Sequence, residues 1–218
     1  MPKVAYSEQE REKIKEELIT TAHNLFVEQG IQHTTVEQIY RQVGISRTFF
    51  YSFFPAKEDL MIQVFNRQQP LILQHAKSLM EDPHLSWRDG VKQFLYDCCY
   101  TNKGRFTIMT VEEQQTTFKR LSPEKHRALQ EKLPRFFSDI LRTFGIHSDE
   151  ATTKLLANLV LSMVIVHKAI PDSLPFLFPD SLPFLFPEAA DPMAEFQIDG
   201  LVNFMESLRE QQNGALDT

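Results

Sequence analysis

Three adjacent side chains in the stretch SRTFFYSFFPAK, residues 46–57, carry groups suited to reading a nucleic acid. Arg47 can donate two parallel hydrogen bonds to guanine O6 and N7, and Thr48 can meet a phosphate or a thymine methyl. Ser46 stands before them as a helix cap. Tyr51 adds a hydroxyl for a phosphate and a ring that can cover a base edge or sugar. Lys57 opens the next helix, where backbone N–H groups and a cation together suit phosphate. Between His33 and Lys57 the charged residues are Arg41, Arg47, Lys57 and Glu37. This stretch is therefore basic within a chain of net charge −6 and pI about 5.7. A local basic patch can exist inside an acidic average.

The same stretch crowds in Phe49, Phe50, Tyr51, Phe53 and Phe54. At about 100° per residue on a helix, Phe50 and Phe54 face inward together. Thr48 and Ser52 point the opposite way, Tyr51 lies on one flank, and Phe49 and Phe53 lie on the other. Two rings are therefore expected in the core and two are surplus apolar surface.

The elements that position these groups are helical. From Glu10 to Gln29, Ile14, Leu18, Ala22, Leu25 and Phe26 share one face, and Gly30 suits a left-handed cap. Thr34 and Glu37 have capping-box spacing for a second helix, whose stripe is Val36, Ile39, Tyr40 and Val43 and whose stop is Gly44. Ser46 caps a third helix that runs into Pro55. A fourth follows with Glu58 and Asp59 in its first turn. A capped helix, a tight turn through VGIS and a second short helix make a helix-turn-helix, whose second helix enters the major groove. An ordinary three-helix bundle without a ligand is the alternative.

With the preceding ITTAHNLFVEQG, the stretch TTVEQIYRQVGISRTFFYSFFPAKEDLM resembles the DNA-binding domain of the TetR family of bacterial transcriptional regulators. The matching positions are Thr35–Val36, Ile39–Tyr40, Gly44–Ile45–Ser46, Phe50–Tyr51 with Phe54, and Lys57 with Leu60. The likeness covers roughly residues 10 to 70. It implies DNA contacts by Thr35, Arg47, Thr48, Tyr51 and Lys57. Phe49 and Phe53 depart from the family, which often has Thr and His there, because Phe cannot hydrogen-bond a phosphate. Either these rings touch sugar and thymine methyls, or they pack on neighbouring helices. Packing is favoured for Phe53, and Phe49 is kept among the DNA-binding candidates. Tyr40, in place of the common Ala, should enlarge the contact with the first helix.

The rest of the chain also reads as helical, with no alternating strand pattern. Pro70 and Asp82–Pro83–His84 break up the middle. Helices are expected from Ser86 to about Tyr100 with Val91, Phe94, Leu95 and Cys98 inward, from Ser122 to Gly145 with a kink at Pro134, from Ser148 to Ile170, and from Asp191 to about Arg209. The stretch GRFTIMT, residues 104–110, is left between helix and irregular turn. PDSLPFLF occurs twice in tandem, at 171–178 and 179–186. Its prolines argue against a helix and for extended geometry. It is either a duplicated loop insertion or an arm whose Phe176, Phe178, Phe184 and Phe186 pack on a partner.

The fold expected is thus all-α. An N-terminal three-helix helix-turn-helix DNA-binding domain spans 10–56, and a C-terminal helical ligand-binding and dimerisation domain spans 57–211. The helix 148–170 is apolar nearly all round in its second half and must be buried on both sides there. With the last helix it suits a four-helix homodimer interface of the kind the family builds, with Leu156, Leu159, Met163, Val166, Leu201 and Met205 as candidates. Burial inside a large monomer is the alternative. A dimer also sets two recognition helices about 34–36 Å apart on a near-palindromic site. Candidate pocket residues are Phe94, Cys98, Phe106, Met109, Phe137 and His167, though each such residue is more often plain core. Their aromatic and thioether character suggests an apolar or aromatic effector.

Catalysis finds no support. There is no phosphate-cradling glycine loop, no metal-ligand spacing among the seven histidines and no nucleophile elbow. No enzyme activity, metal or cofactor is expected. The two cysteines, Cys98 and Cys99, are adjacent, which argues against a disulfide framework and for a reducing compartment. Asp97 beside them would raise a thiol pKa, which weighs against a redox sensor. The charged N-terminus lacks the apolar run of a secretory signal, and no apolar run is long enough to span a membrane. The reading is a cytoplasmic, ligand-responsive repressor of transcription, whose partners are double-stranded operator DNA, a small-molecule effector and a second copy of the chain, with no membrane. The alternative is a ligand-binding or scaffold protein of the same fold that has lost operator binding.

Overall fold

A computed structural model describes residues 6–99, 106, 111–177 and 190–216, and among these every regular element is a helix. In chain order they are α1 (Glu8–Gln29), α2 (Val36–Val43), α3 (Arg47–Tyr51), α4 (Lys57–Met80), α5 (Trp87–Cys99), α6 (Val111–Arg120), α7 (Pro123–Thr143), α8 (Glu150–Leu177) and α9 (Ala190–Leu216). No helix among the described residues is long and apolar enough to cross a membrane.

Local chemistry sets the first three helices. Ser7 caps α1 in a reciprocal box with Glu10, whose carboxylate accepts from the Ser7 N–H at 2.7 Å. The box at α2 falls one residue later than the sequence suggested. Thr35 is the cap, and Gln38 Oε1 accepts from the Thr35 N–H at 2.7 Å. Thr34 is buried instead, donating its hydroxyl to the Gly30 carbonyl at 2.8 Å. Gly44 ends α2 in the left-handed region, with φ 78° and ψ 27°. Gly30 differs from the expected cap: its φ is 83° but its ψ is 160°, outside the left-handed helical basin.

Three expected breaks shift. The third helix stops at Tyr51 rather than reaching Pro55, and a tight turn follows in which the N–H groups of Phe53 and Phe54 both donate to the Phe50 carbonyl. α4 runs through Pro70 without interruption, and α8 continues past Pro171 and Pro175 to Leu177. A proline removes one donor and crowds one carbonyl, which kinks or weakens a helix but need not end it. The remaining repeat residues, 178–186, lie outside the described residues, as do 104, 105 and 107–110 of the undecided stretch.

The chain divides into two compact units, one of Met1–Gln69 with Arg105–Leu121 and one of Pro70–Gly104 with Ser122–Thr218. The first thus takes in residues beyond the 10–56 assigned to DNA binding. Its core joins Leu18, Ala22 and Phe26 of α1, Ile39 of α2, Phe50 of α3, Phe54 of the following turn, and Leu60, Met61 and Val64 of α4. Tyr40 packs against its edge. Within the same unit α6 sits on the first turns of α4. Arg120 pairs with the largely buried Glu58 at 3.1 Å, and the Thr117 hydroxyl meets the Met61 sulfur at 4.0 Å.

The second unit buries Val91, Phe94 and Leu95 of α5, Ile140 and Leu141 of α7, Leu156 and Met163 of α8, and Ile198, Leu201, Val202 and Met205 of α9. On α5 it is Cys99, not Cys98, that turns fully inward. Polar ties fix α9 to the rest. Arg88 reaches Glu206 at 2.8 Å and Asp199 at 3.3 Å, and Asp199 also pairs with Lys92. The Trp87 indole donates to the Phe144 carbonyl at 2.7 Å while the Arg209 guanidinium lies over its ring at 5.0 Å.

Candidate functional site

The turn through Gly44 and the Ser46 cap place α3 with one face in the core and one outside. Phe50 is 0% exposed and Phe54 is buried beside it, with ring centroids 5.9 Å apart. This is the inward pair the helical spacing predicts. Ser46, Arg47, Thr48, Tyr51 and Ser52 are all exposed. The Ser46 hydroxyl accepts from the Phe49 N–H at 3.2 Å, so its oxygen is partly spent on the cap. Arg47 sits 5.8 Å from the Tyr51 ring centroid, one turn away. The outer face of α3 is therefore a short row of donors and hydroxyls held on two rigid rings.

The flanking candidates differ in availability. Thr35 is exposed, but its hydroxyl serves the α2 cap, accepting from the Gln38 N–H at 3.1 Å. Lys57 turns back into its own unit. Its ammonium donates to the carbonyls of Ile31 and Thr34, the latter at 2.5 Å, and stands 5.9 Å from the Phe26 ring. It ties down the loop that leads into α2. Phe49 and Phe53 are half-buried and stack edge to face at 4.9 Å. Tyr6 covers Phe49 at 4.7 Å, and Arg11 lies over Phe53 at 4.6 Å. Sequence reasoning missed Tyr6 and Arg11. The only hint was the pair of surplus rings, which had to be covered by something.

In the second unit the pocket candidates separate. Phe94 and Phe137 share the wall of an apolar cavity of about 40 Å³, completed by residues that include Phe144, Leu156, Val160 and Met205. Its one hydroxyl wall, Thr153, is bonded to Ser148 at 2.7 Å. Cys98 does not line it, and Phe106 is buried in the first unit. Met109 and the His167 side chain lie outside the described residues. An open groove of about 710 Å³ between α7 and α8 is instead polar, with Arg127, Arg135, Arg142 and Lys154 interleaved with Glu131 and Glu150. Burial pushes the Cys98 thiol well up, helped by Cys99 and Asp97. Burial likewise pushes Cys99 up to about 12. Both shifts run against the thiolate that redox chemistry needs. Among the described residues no group of three His, Cys, Asp or Glu side chains could hold a metal ion.

The interface candidates divide by face. Leu156, Met163, Leu201 and Met205 are buried within their own chain, while Leu159 is 39% exposed. The Val166 side chain lies outside the described residues. Among the described side chains, the large apolar ones that α8 and α9 turn outward are Leu155, Leu159 and Phe196, the last 77% exposed. Gly200, one turn after Phe196, has open space where a side chain would stand.

Residues 18–64 match the family model described as bacterial regulatory proteins, tetR family. An HTH-type transcriptional regulator of Staphylococcus aureus (strain USA300) is 24% identical over 161 residues, which cover 71% of this chain and 77% of that protein. Another, from strain MRSA252, is 28% identical over 81 residues, or 37% of this chain and 42% of that protein. A solved TetR-family transcriptional regulator from Pectobacterium atrosepticum superposes with a TM-score of 0.51 at 16% identity, covering 93% of this chain and 95% of its own. The reduced form of NemR from E. coli also gives 0.51, at 13% identity, covering 89% and 96%. At such identities the structural likeness speaks for the fold alone.

Proposed function

We propose, from the premise that this chain belongs to the tetR family of bacterial regulatory proteins, that it is a cytoplasmic repressor that binds a near-palindromic operator as a homodimer and is released by a small apolar or aromatic effector. The observation that carries this reading is the outer face of α3. Arg47, Thr48 and Tyr51 stand exposed on a capped helix, and Phe50 and Phe54 lock its inner face. The alternative of a fold that has lost operator binding drew its force from Phe49 and Phe53. With Tyr6 and Arg11 packed on them, the two rings leave the polar face open.

Dimerisation would use the outward stripe of α8 and α9, with Leu155, Leu159 and Phe196 meeting their copies and Gly200 allowing close approach. The effector would enter the cavity beside Phe94 and Phe137. At about 40 Å³ that cavity holds a water or two at most, far below the roughly 300 Å³ of an ordinary ligand site. Binding must therefore widen it, and only a ligand that favours the widened state over the DNA-competent one can release DNA. The effector would act by shifting α4, which runs unbroken through the point where the chain divides.

The test is a gel shift on duplexes selected from a random-sequence pool, with size measured by light scattering. Arg47→Ala and Tyr51→Phe should weaken binding by roughly tenfold or more for the arginine, with the dimer intact. Equally tight binding by both variants would overturn the assigned contacts. A monomeric wild type would overturn the dimer.

A further inference from the structure

One flank of α3 carries a group that the reading above does not use. Phe49 and Phe53 form an apolar shelf there, and Tyr6 lies flat on Phe49 with the ring planes 17° apart. Arg11, on the second turn of α1, spans both phenylalanines, 4.6 Å from the Phe53 centroid and 5.4 Å from that of Phe49. Its guanidinium has neither a carboxylate nor any other hydrogen-bond acceptor among the described residues. The neighbouring acids are engaged elsewhere. Glu10 closes the α1 capping box, Glu12 pairs with Lys15 at 3.1 Å, and Glu17 faces Lys13 at 3.9 Å. Glu8, one turn earlier, is exposed and makes no pair with Arg11.

A guanidinium stacked on rings gives up its faces and keeps its edge, where its N–H donors lie. That edge matches a phosphate, which it can engage with two parallel bonds. The stack also fixes the side chain in advance, so less rotamer freedom is lost when a ligand arrives. A ring-supported guanidinium with no acceptor among the described residues, beside the helix that presents Arg47 and Tyr51, has the chemistry to meet an anion.

We propose that Arg11 binds a backbone phosphate of the bound duplex, held along the flank of α3 by Tyr6, Phe49 and Phe53. This rests on the reading of α3 as the DNA-reading helix. Phe49 and Phe53 are then positioning residues that do not touch DNA. The contact fixes register without reading sequence.

The experiment uses the full chain and duplexes that the wild type selects from a random-sequence pool, titrated at several salt concentrations. Arg11→Gln and Arg11→Leu should each weaken binding several-fold and lower the slope of log affinity against log salt by about one per subunit. Arg11→Lys keeps the charge and should keep the slope. Phe53→Leu keeps the cation but loosens its support, and should weaken binding a few-fold with the slope unchanged. An unchanged slope in both neutral variants, at wild-type melting temperature, would overturn the proposal, because a merely structural stack neutralises no phosphate. If the wild type selects no duplex at all, the reading of α3 fails first and takes this contact with it.

Discussion

The region around α1 to α3 and the region around α5, α8 and α9 are both helical, yet they are held by ties of different reach. In the first, the capping bonds join residues three apart: Ser7 with Glu10, Thr35 with Gln38, Ser46 with Phe49. In the second, Arg88 reaches Glu206 across 118 residues of sequence and His147 exchanges hydrogen bonds with Gln212 across 65. Local ties form early and specify a turn almost alone, whereas distant ones require the chain to close first. The turns and caps of α1 to α3 are thus set by adjacency, with Lys57 as a longer tie to the loop before α2. The packing of α9 against α5 and the residues leading into α8 is set by long-range pairs.

Substitutions that separate the two regions can break this comparison. The largest expected effect is in the first. Phe50→Ala removes a ring that is 0% exposed and should lower the unfolding free energy by about 3–5 kcal/mol in denaturant titration. A loss under about 1 kcal/mol would mean that the aromatic core is not what holds α3. Next is Gly90→Ala in the second region. Its Cβ would lie 2.4 Å from the Met80 methyl and 3.1 Å from the Leu79 carbonyl oxygen. Since the methionine can swing away but the carbonyl cannot, a cost of about 1–3 kcal/mol is expected from the same titration.

Gly44→Ala probes the local side again. At φ 78° an alanine is strained whatever the space around it, and should cost about 1–2 kcal/mol. It should also weaken duplex binding, because the turn aims α3. A neutral result would show that the turn tolerates another geometry. The smallest effect concerns pH. The Asp199 carboxyl is held below its ordinary value, first by its hydrogen bond from Lys92 and then by the charges of Lys92 and Arg88. Its contribution is therefore complete above the ordinary carboxylate range and is lost as pH falls through the lowered value. Asp199→Asn should flatten the acid limb of a melting-temperature profile slightly, since solvent screens so exposed a pair. An unchanged limb would remove this tie from the comparison.

The same division explains what the sequence made legible. Gly44, the Ser46 cap and the Phe50–Phe54 spacing are short-range signals, and each places its residue where the structure has it. The α2 cap was misjudged by one position because Thr34 and Thr35 are chemically alike, and only burial tells them apart. Proline was weighted too heavily at Pro70 and Pro171, where a helix gives up one bond and goes on. The faces of α8 could not be assigned, because a helix apolar nearly all round has no preferred side until its neighbours are known. Leu156 therefore proved internal while Leu155, beside it, is exposed. Tyr6 and Arg11 stayed hidden because a charged leading stretch gives no periodic reason to link it with rings some forty residues on. Of the proposed effector site, the sequence could supply aromatic residues but not their grouping. Phe94 and Phe137 meet at one cavity, whereas Phe106 belongs to the other unit.

Lys57 and Glu58 are consecutive on the opening turn of α4, one gripping the carbonyls of Ile31 and Thr34, the other gripping Arg120 of α6. Sharing a single turn, they cannot move independently. A twist that slackens the hold on α6 also tugs the connection between α1 and α2. Amide exchange near Thr34 in an Arg120→Ala variant reads this linkage: faster exchange there, with the body of α3 still protected, is the expected outcome, and unchanged exchange would show that the two grips act separately.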